Sequence, residues 1–193
     1  MTASLLTRSV FLRPWLIWTA GFVSFPLAGI AGGAVAGRVD SVPAALAGGV
    51  ITGVVIGAGQ SLAGGRRLDP RRWIPATAAG MGLGLLLGAL TVGFGTTLAD
   101  LAVMGALTGL VLGPAQALAL PAPARHRAAW AAAIPVLWAL GWTLTTLVGV
   151  DVERQYTVFG AAGAITVSAL SGLLLHRLMP AREPLAHIPG GTA

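Results

Sequence analysis

The chain has 193 residues, 55% of them hydrophobic and only 9% charged, with a mean hydropathy of +0.83. Soluble domains carry roughly 25% charged residues, so the composition excludes an ordinary water-soluble fold. The net charge of +6 comes from twelve basic residues, all arginine; they stand between apolar runs, where membrane orientation explains them better than nucleic acid does.

Residues 1–13 form a polar tail with Arg8 and Arg13, and the first apolar span covers 14–36. Ala34-Val35-Ala36 resembles a signal-peptide cleavage site. The apolar run is longer than the usual signal core, so an uncleaved span is expected. The second span covers 42–64 and is followed by a basic loop with Arg66, Arg67, Arg71 and Arg72. The third, 73–95, opens on Trp73 and carries Gly80, Gly84 and Gly88 at four-residue spacing. The fourth covers about 101–120 and stops at Pro121 and Pro123, which continue a helix poorly. The fifth runs over 128–149, the sixth over about 157–178, and a polar tail follows from 180 to 193.

Each run is long enough to cross a hydrocarbon core of ~30 Å as a helix. None alternates as a barrel strand would. The expected fold is all-α: one polytopic domain over 1–193 with six transmembrane helices. Paired, the spans make three tandem helical hairpins at about 14–64, 73–120 and 128–178, a repeat of roughly 57 residues. The stretch Gly49-Val50-Ile51-Thr52-Gly53 through Gly57 to Gln60 returns as Gly105-Ala106-Leu107-Thr108-Gly109 through Gly113 to Gln116. Trp15, Trp73 and Trp130 each stand near the start of an odd-numbered span. The third copy is degenerate. One register puts Leu174, and another Ser171, where Gln116 stands.

On a helix, Gly49, Gly53, Gly57 and Gln60 fall within roughly 80° of one another. Gly105, Gly109, Gly113 and Gln116 repeat that stripe. In a bilayer, glycine allows two backbones to approach closely, so the three glycine stripes read as helix-packing faces. Gln60 and Gln116 read as either a helix clamp or a polar solute site near the cytoplasmic side, the clamp being preferred.

Catalysis has no candidate residues. The spans hold no paired aspartates, Ser–His pair or zinc-binding helix, and the absence of Cys removes thiol chemistry. His126, His176 and His187 have no ligand spacing, so neither a metal nor a cofactor is expected. The basic loop can attract anionic headgroups, with orientation as its simpler role.

Ten arginines fall in the tails and even-numbered loops and two in the remaining loops, which predicts both termini in the cytoplasm. Three tandem helix pairs resemble mitochondrial carriers in plan, without their charged Pro-x-Asp/Glu-x-x-Arg/Lys signature. The size and small-residue helices are similar to those of the substrate-binding subunits of energy-coupling vitamin transporters. No named family is identified. The sequence is read as a non-enzymatic packing or interaction subunit of the bacterial cytoplasmic (inner) membrane, associating through its Gly-rich helix faces. Its expected partners are the bilayer and either itself or another membrane protein, not nucleic acid. The alternative is a small carrier or channel for a neutral or amphipathic solute.

Overall fold

In the computed structural model the described residues are 2–154 and 156–179, with side chains from Phe11 onward. The tail expected over 180–193, with Arg182 and His187, lies outside the described residues, as does the side chain of Arg8. Regular structure among the described residues is entirely helical. The helices are α1 (Thr2–Ala20), α2 (Ser24–Ala36), α3 (Val42–Gly64), α4 (Pro70–Thr91), α5 (Leu98–Ala119), α6 (Ala124–Leu147) and α7 (Ala161–Leu178). They supply six segments long and apolar enough to cross a membrane, the first being α1 and α2 taken together over Phe11–Ala36.

Local chemistry sets three of the helix ends. Asp69 accepts a hydrogen bond from the Arg71 backbone at 3.0 Å, with Pro70 opening α4. Thr97 and Asp100 make a reciprocal capping box at the start of α5. Gly65, at φ 55°, closes α3 in a conformation that a side chain would strain.

Four expected segments differ from the sequence reading: α4 stops at Thr91 and not at 95, α6 runs over Ala124–Leu147 and not 128–149, and the first and sixth spans depart further. The first span is interrupted by a single 3-10 turn at Gly21–Val23, where Ser24 Oγ donates to the Gly21 carbonyl at 2.7 Å. This side-chain bond competes with the helix ladder, and Gly21 lets Ala63 of α3 come close. The stretch 1–13, read as a tail, is helical from Thr2.

The helix of the sixth span, α7, starts at Ala161 and not at 157. Thr157, Val158 and Phe159 are buried, yet they enter the bundle as irregular, bent chain and not as helix. Hydropathy registers their burial and is blind to their conformation. Non-helical backbone at such depth is tolerated when protein surrounds it. Here Phe159 packs on Phe25, Trp138 and Trp142, and the Gly160 N–H donates to Thr145 Oγ1 at 3.0 Å.

The spans follow one another around the bundle. α2 packs on α3, α3 on α4, α4 on α5, α5 on α6 and α6 on α7, and α7 returns to α1. Trp73, Trp130, Trp138, Trp142, Phe25, Met81 and Leu112 fill the core. Many large apolar residues remain exposed, among them Ile30, Leu62, Leu118 and Val136. That is expected of a bundle whose outer surface meets hydrocarbon.

The glycine stripes explain the closest of these approaches. A Cβ on Gly53 would stand 2.6 Å from Ala78 Cα of α4, and one on Gly49 2.7 Å from the Met81 carbonyl. Gly57 faces Ile74 and Thr77 of the same helix. Gly105, Gly109 and Gly113 abut Trp138, Pro135 and Ala131 of α6 in the same manner. Gly80, Gly84 and Gly88 of α4 abut Leu112, Thr108 and Met104 of α5. All nine glycines therefore face a neighbouring helix of the same chain.

Candidate functional site

Gln60 near the end of α3 and Gln116 near the end of α5 meet inside the bundle. Gln116 Nε2 donates to Gln60 Oε1 at 3.2 Å and to Thr77 Oγ1 of α4 at 3.1 Å. Trp73 Nε1 donates to Gln60 Oε1 at 3.0 Å, and Trp130 Nε1 donates to Gln116 Oε1 at 3.2 Å. The two indoles lie edge to face, with centroids 5.8 Å apart. Four helices, α3 to α6, thus meet at one hydrogen-bonded cluster.

The indoles settle which way each amide points. An indole N–H only donates, so each glutamine must turn its carbonyl oxygen toward its tryptophan. That leaves the Gln116 NH2 group for Gln60 and Thr77. Gln116 is 1% exposed with both ends of its amide engaged. Gln60 is half-buried, and its amide nitrogen has no partner among the described residues. Chemically, the cluster orients and holds. It carries no group able to take up or release a proton near neutral pH, and so no base to activate the Thr77 hydroxyl.

The sequence reading missed two further polar contacts. Thr52 Oγ1 lies 2.8 Å from Thr157 Oγ1 and 3.3 Å from the Ala28 carbonyl, joining α2, α3 and the buried non-helical segment. Thr52 sits in the same motif as the glycines. Its counterpart Thr108 instead donates to Met104 O of its own helix, so the motif alone does not reveal the contact. The second is Trp18 Nε1, which donates to Ser171 Oγ at 3.0 Å, while Trp15 Nε1 donates to the Ala169 carbonyl at 2.9 Å. Trp18 is buried and Trp15 half-buried. A tryptophan near a membrane boundary reads as an interfacial anchor, which hides its role as a donor.

The basic loop divides. Arg67 lines a cavity of about 260 Å³ together with Arg13, Trp15, Trp18 and His176. Arg71 and Arg72 line a separate open hollow of about 500 Å³ with Pro75, Ala115 and Leu118. Arg72 also stands 3.8 Å from Asp69. Arg66 is exposed. Among the described residues, no three His, Asp or Glu side chains gather closely enough to hold a metal ion.

No protein family, curated protein or solved structure matches this chain.

Proposed function

We propose that this chain is a non-enzymatic packing and interaction subunit of the bacterial cytoplasmic membrane, built from three tandem hairpins with both termini inside. Its partners are the bilayer and a second membrane protein, either a copy of itself or another chain. The observation that carries the reading is Gln116, buried with its amide fully bonded inside the bundle. A solute site needs polar groups that are free to bind. At Gln116 they are occupied by tryptophan, threonine and glutamine, as in a clamp, and only the Gln60 amide nitrogen is left without a partner among the described residues. The nine stripe glycines are occupied within the chain, which corrects the expectation that association runs through the Gly-rich faces: contact with a partner uses other surfaces.

The three-fold repeat has two kinds of support. The α3 stripe lies on α4 as the α5 stripe lies on α6, with partner residues 57 positions apart, Ala78 and Pro135 among them. Three tryptophan N–H groups, on Trp18, Trp73 and Trp130, each donate to a polar side chain near the end of the preceding span. For the first span, the preceding one is α7. This favours the register with Ser171 at the Gln116 position, and Trp18 instead of Trp15 as the counterpart of Trp73.

Osmotic swelling of proteoliposomes tests the reading against the carrier alternative. Glycerol and urea are expected to enter protein-containing and empty vesicles at equal rates. Faster entry that Gln60→Leu/Gln116→Leu abolishes in folded protein would overturn the clamp. Orientation is tested separately. An alkaline phosphatase fusion after Pro70 is expected to be inactive and one after Asp151 active, because the ten-to-two arginine split retains the basic loops inside. The reverse pattern would refute cytoplasmic termini.

A further inference from the structure

The cavity between α1, the end of α3 and α7 has a chemistry of its own, unrelated to the glutamine cluster. Two arginines line it, Arg13 from α1 and Arg67 from the connection after α3, and His176 of α7 completes the polar part. No acidic residue is among its lining, and neither Arg13 nor Arg67 has a hydrogen-bond or ion-pair partner among the described residues. Pro14, Ile17, Trp18, Ala63 and Leu175 supply an apolar wall. His176 Nδ1 is buried without a hydrogen-bond partner, leaving Nε2 as the ring atom free for a ligand. The ring is held edge-on by Phe11, at a centroid distance of 4.5 Å.

Two cationic residues lining one cavity repel each other, and the repulsion is stronger beside a low-dielectric wall. Orientation alone does not require this, because arginines spread over the loops orient a chain equally well. An anion between them would remove the repulsion. Guanidinium forks match phosphate oxygens in geometry, and basic pockets between membrane helices accept lipid head groups.

We propose that Arg13, Arg67 and His176 form a binding site for a phosphate group. The group is either the phosphodiester of an anionic phospholipid, with its chains running along Ile17 and Leu175, or a small phosphate ester from solution. In both cases the phosphate oxygens lie between the two guanidinium groups. His176 Nε2 then bonds one of those oxygens.

Native mass spectrometry of the full chain in mild detergent tests this, with phosphatidylglycerol as the first probe and zwitterionic phosphatidylcholine as its control. The protein is expected to retain one phosphatidylglycerol in preference to phosphatidylcholine. Arg13→Gln/Arg67→Gln is expected to weaken retention about tenfold or more. Arg71→Gln/Arg72→Gln removes the same charge from the other hollow and is expected to change it by no more than about twofold. Glycerol phosphate and inorganic phosphate are added as competitors. Displacement of the lipid by either, with a raised melting temperature, identifies a soluble ester; no displacement identifies the lipid.

Equal retention by wild type and Arg13→Gln/Arg67→Gln, with both eluting as folded protein, would overturn the proposal. So would equal losses in the two double variants, or no binding of any probe. If the double variant fails to fold, Arg67→Gln alone carries the same comparison.

Discussion

Gly109→Leu is expected to abolish recovery of folded protein in detergent, as is Gly53→Leu. At Gly109 even a Cβ would stand 2.5 Å from Pro135 Cα and 2.8 Å from the Ile134 carbonyl. These are backbone atoms of a rigid helix, so no side chain can rotate away to make room. A leucine forces α5 and α6 apart along their closest line, and the contacts of Gly105 and Gly113 open with it. Overpacking in cores costs roughly 1–3 kcal/mol when neighbours can adjust, and here the neighbour is main chain, so the upper end or more is expected. Val103→Leu and Val54→Leu, on exposed positions of α5 and α3, serve as controls and should leave yield and melting temperature near wild type. Size-exclusion chromatography and thermal unfolding in the same detergent provide the readout. Equal behaviour of the glycine and valine variants would mean that the stripe reflects composition and has no packing role.

Gln116→Leu is expected to destabilise the bundle more than Gln60→Leu does. The first change removes three hydrogen bonds, to Gln60, Thr77 and the Trp130 indole, and leaves a fully buried N–H without an acceptor. The second removes two, in a half-buried setting that water can reach more easily. Interhelical hydrogen bonds in membranes average ~0.6 kcal/mol each, which puts the Gln116 loss near 2 kcal/mol and the Gln60 loss near 1 kcal/mol. The double variant should fall short of the sum, because the two residues share a bond. Unfolding in a graded detergent series measures all three. A double variant as stable as wild type would remove the clamp and leave Gln60, with its unbonded amide nitrogen, as the better argument for a solute site.

Six membrane-crossing helices were legible in the sequence for a local reason. In hydrocarbon each span must satisfy its own backbone hydrogen bonds, so length and apolar content decide helix formation one segment at a time. The glycine stripes were legible because helical periodicity places i, i+4 and i+8 on one face, whatever lies opposite. The buried start of the sixth span was not, since irregular, non-helical chain at Thr157–Phe159 and a helix turn present the same hydropathy.

What lies opposite a stripe is a different kind of fact. Nothing in Gly49-x-x-x-Gly53-x-x-x-Gly57 says whether that face meets a second copy of the chain or α4 of its own; the bundle turns it toward α4. The same holds for Trp18, which reads as an interfacial anchor but donates to Ser171, 153 positions away. It holds too for Arg13, Arg67 and His176, which share a cavity although they stand on three separate segments. Secondary structure in a bilayer follows from each span's own sequence. Which faces, donors and charges meet follows from how rigid helices pack around one another, a set of long-range contacts that no single span encodes.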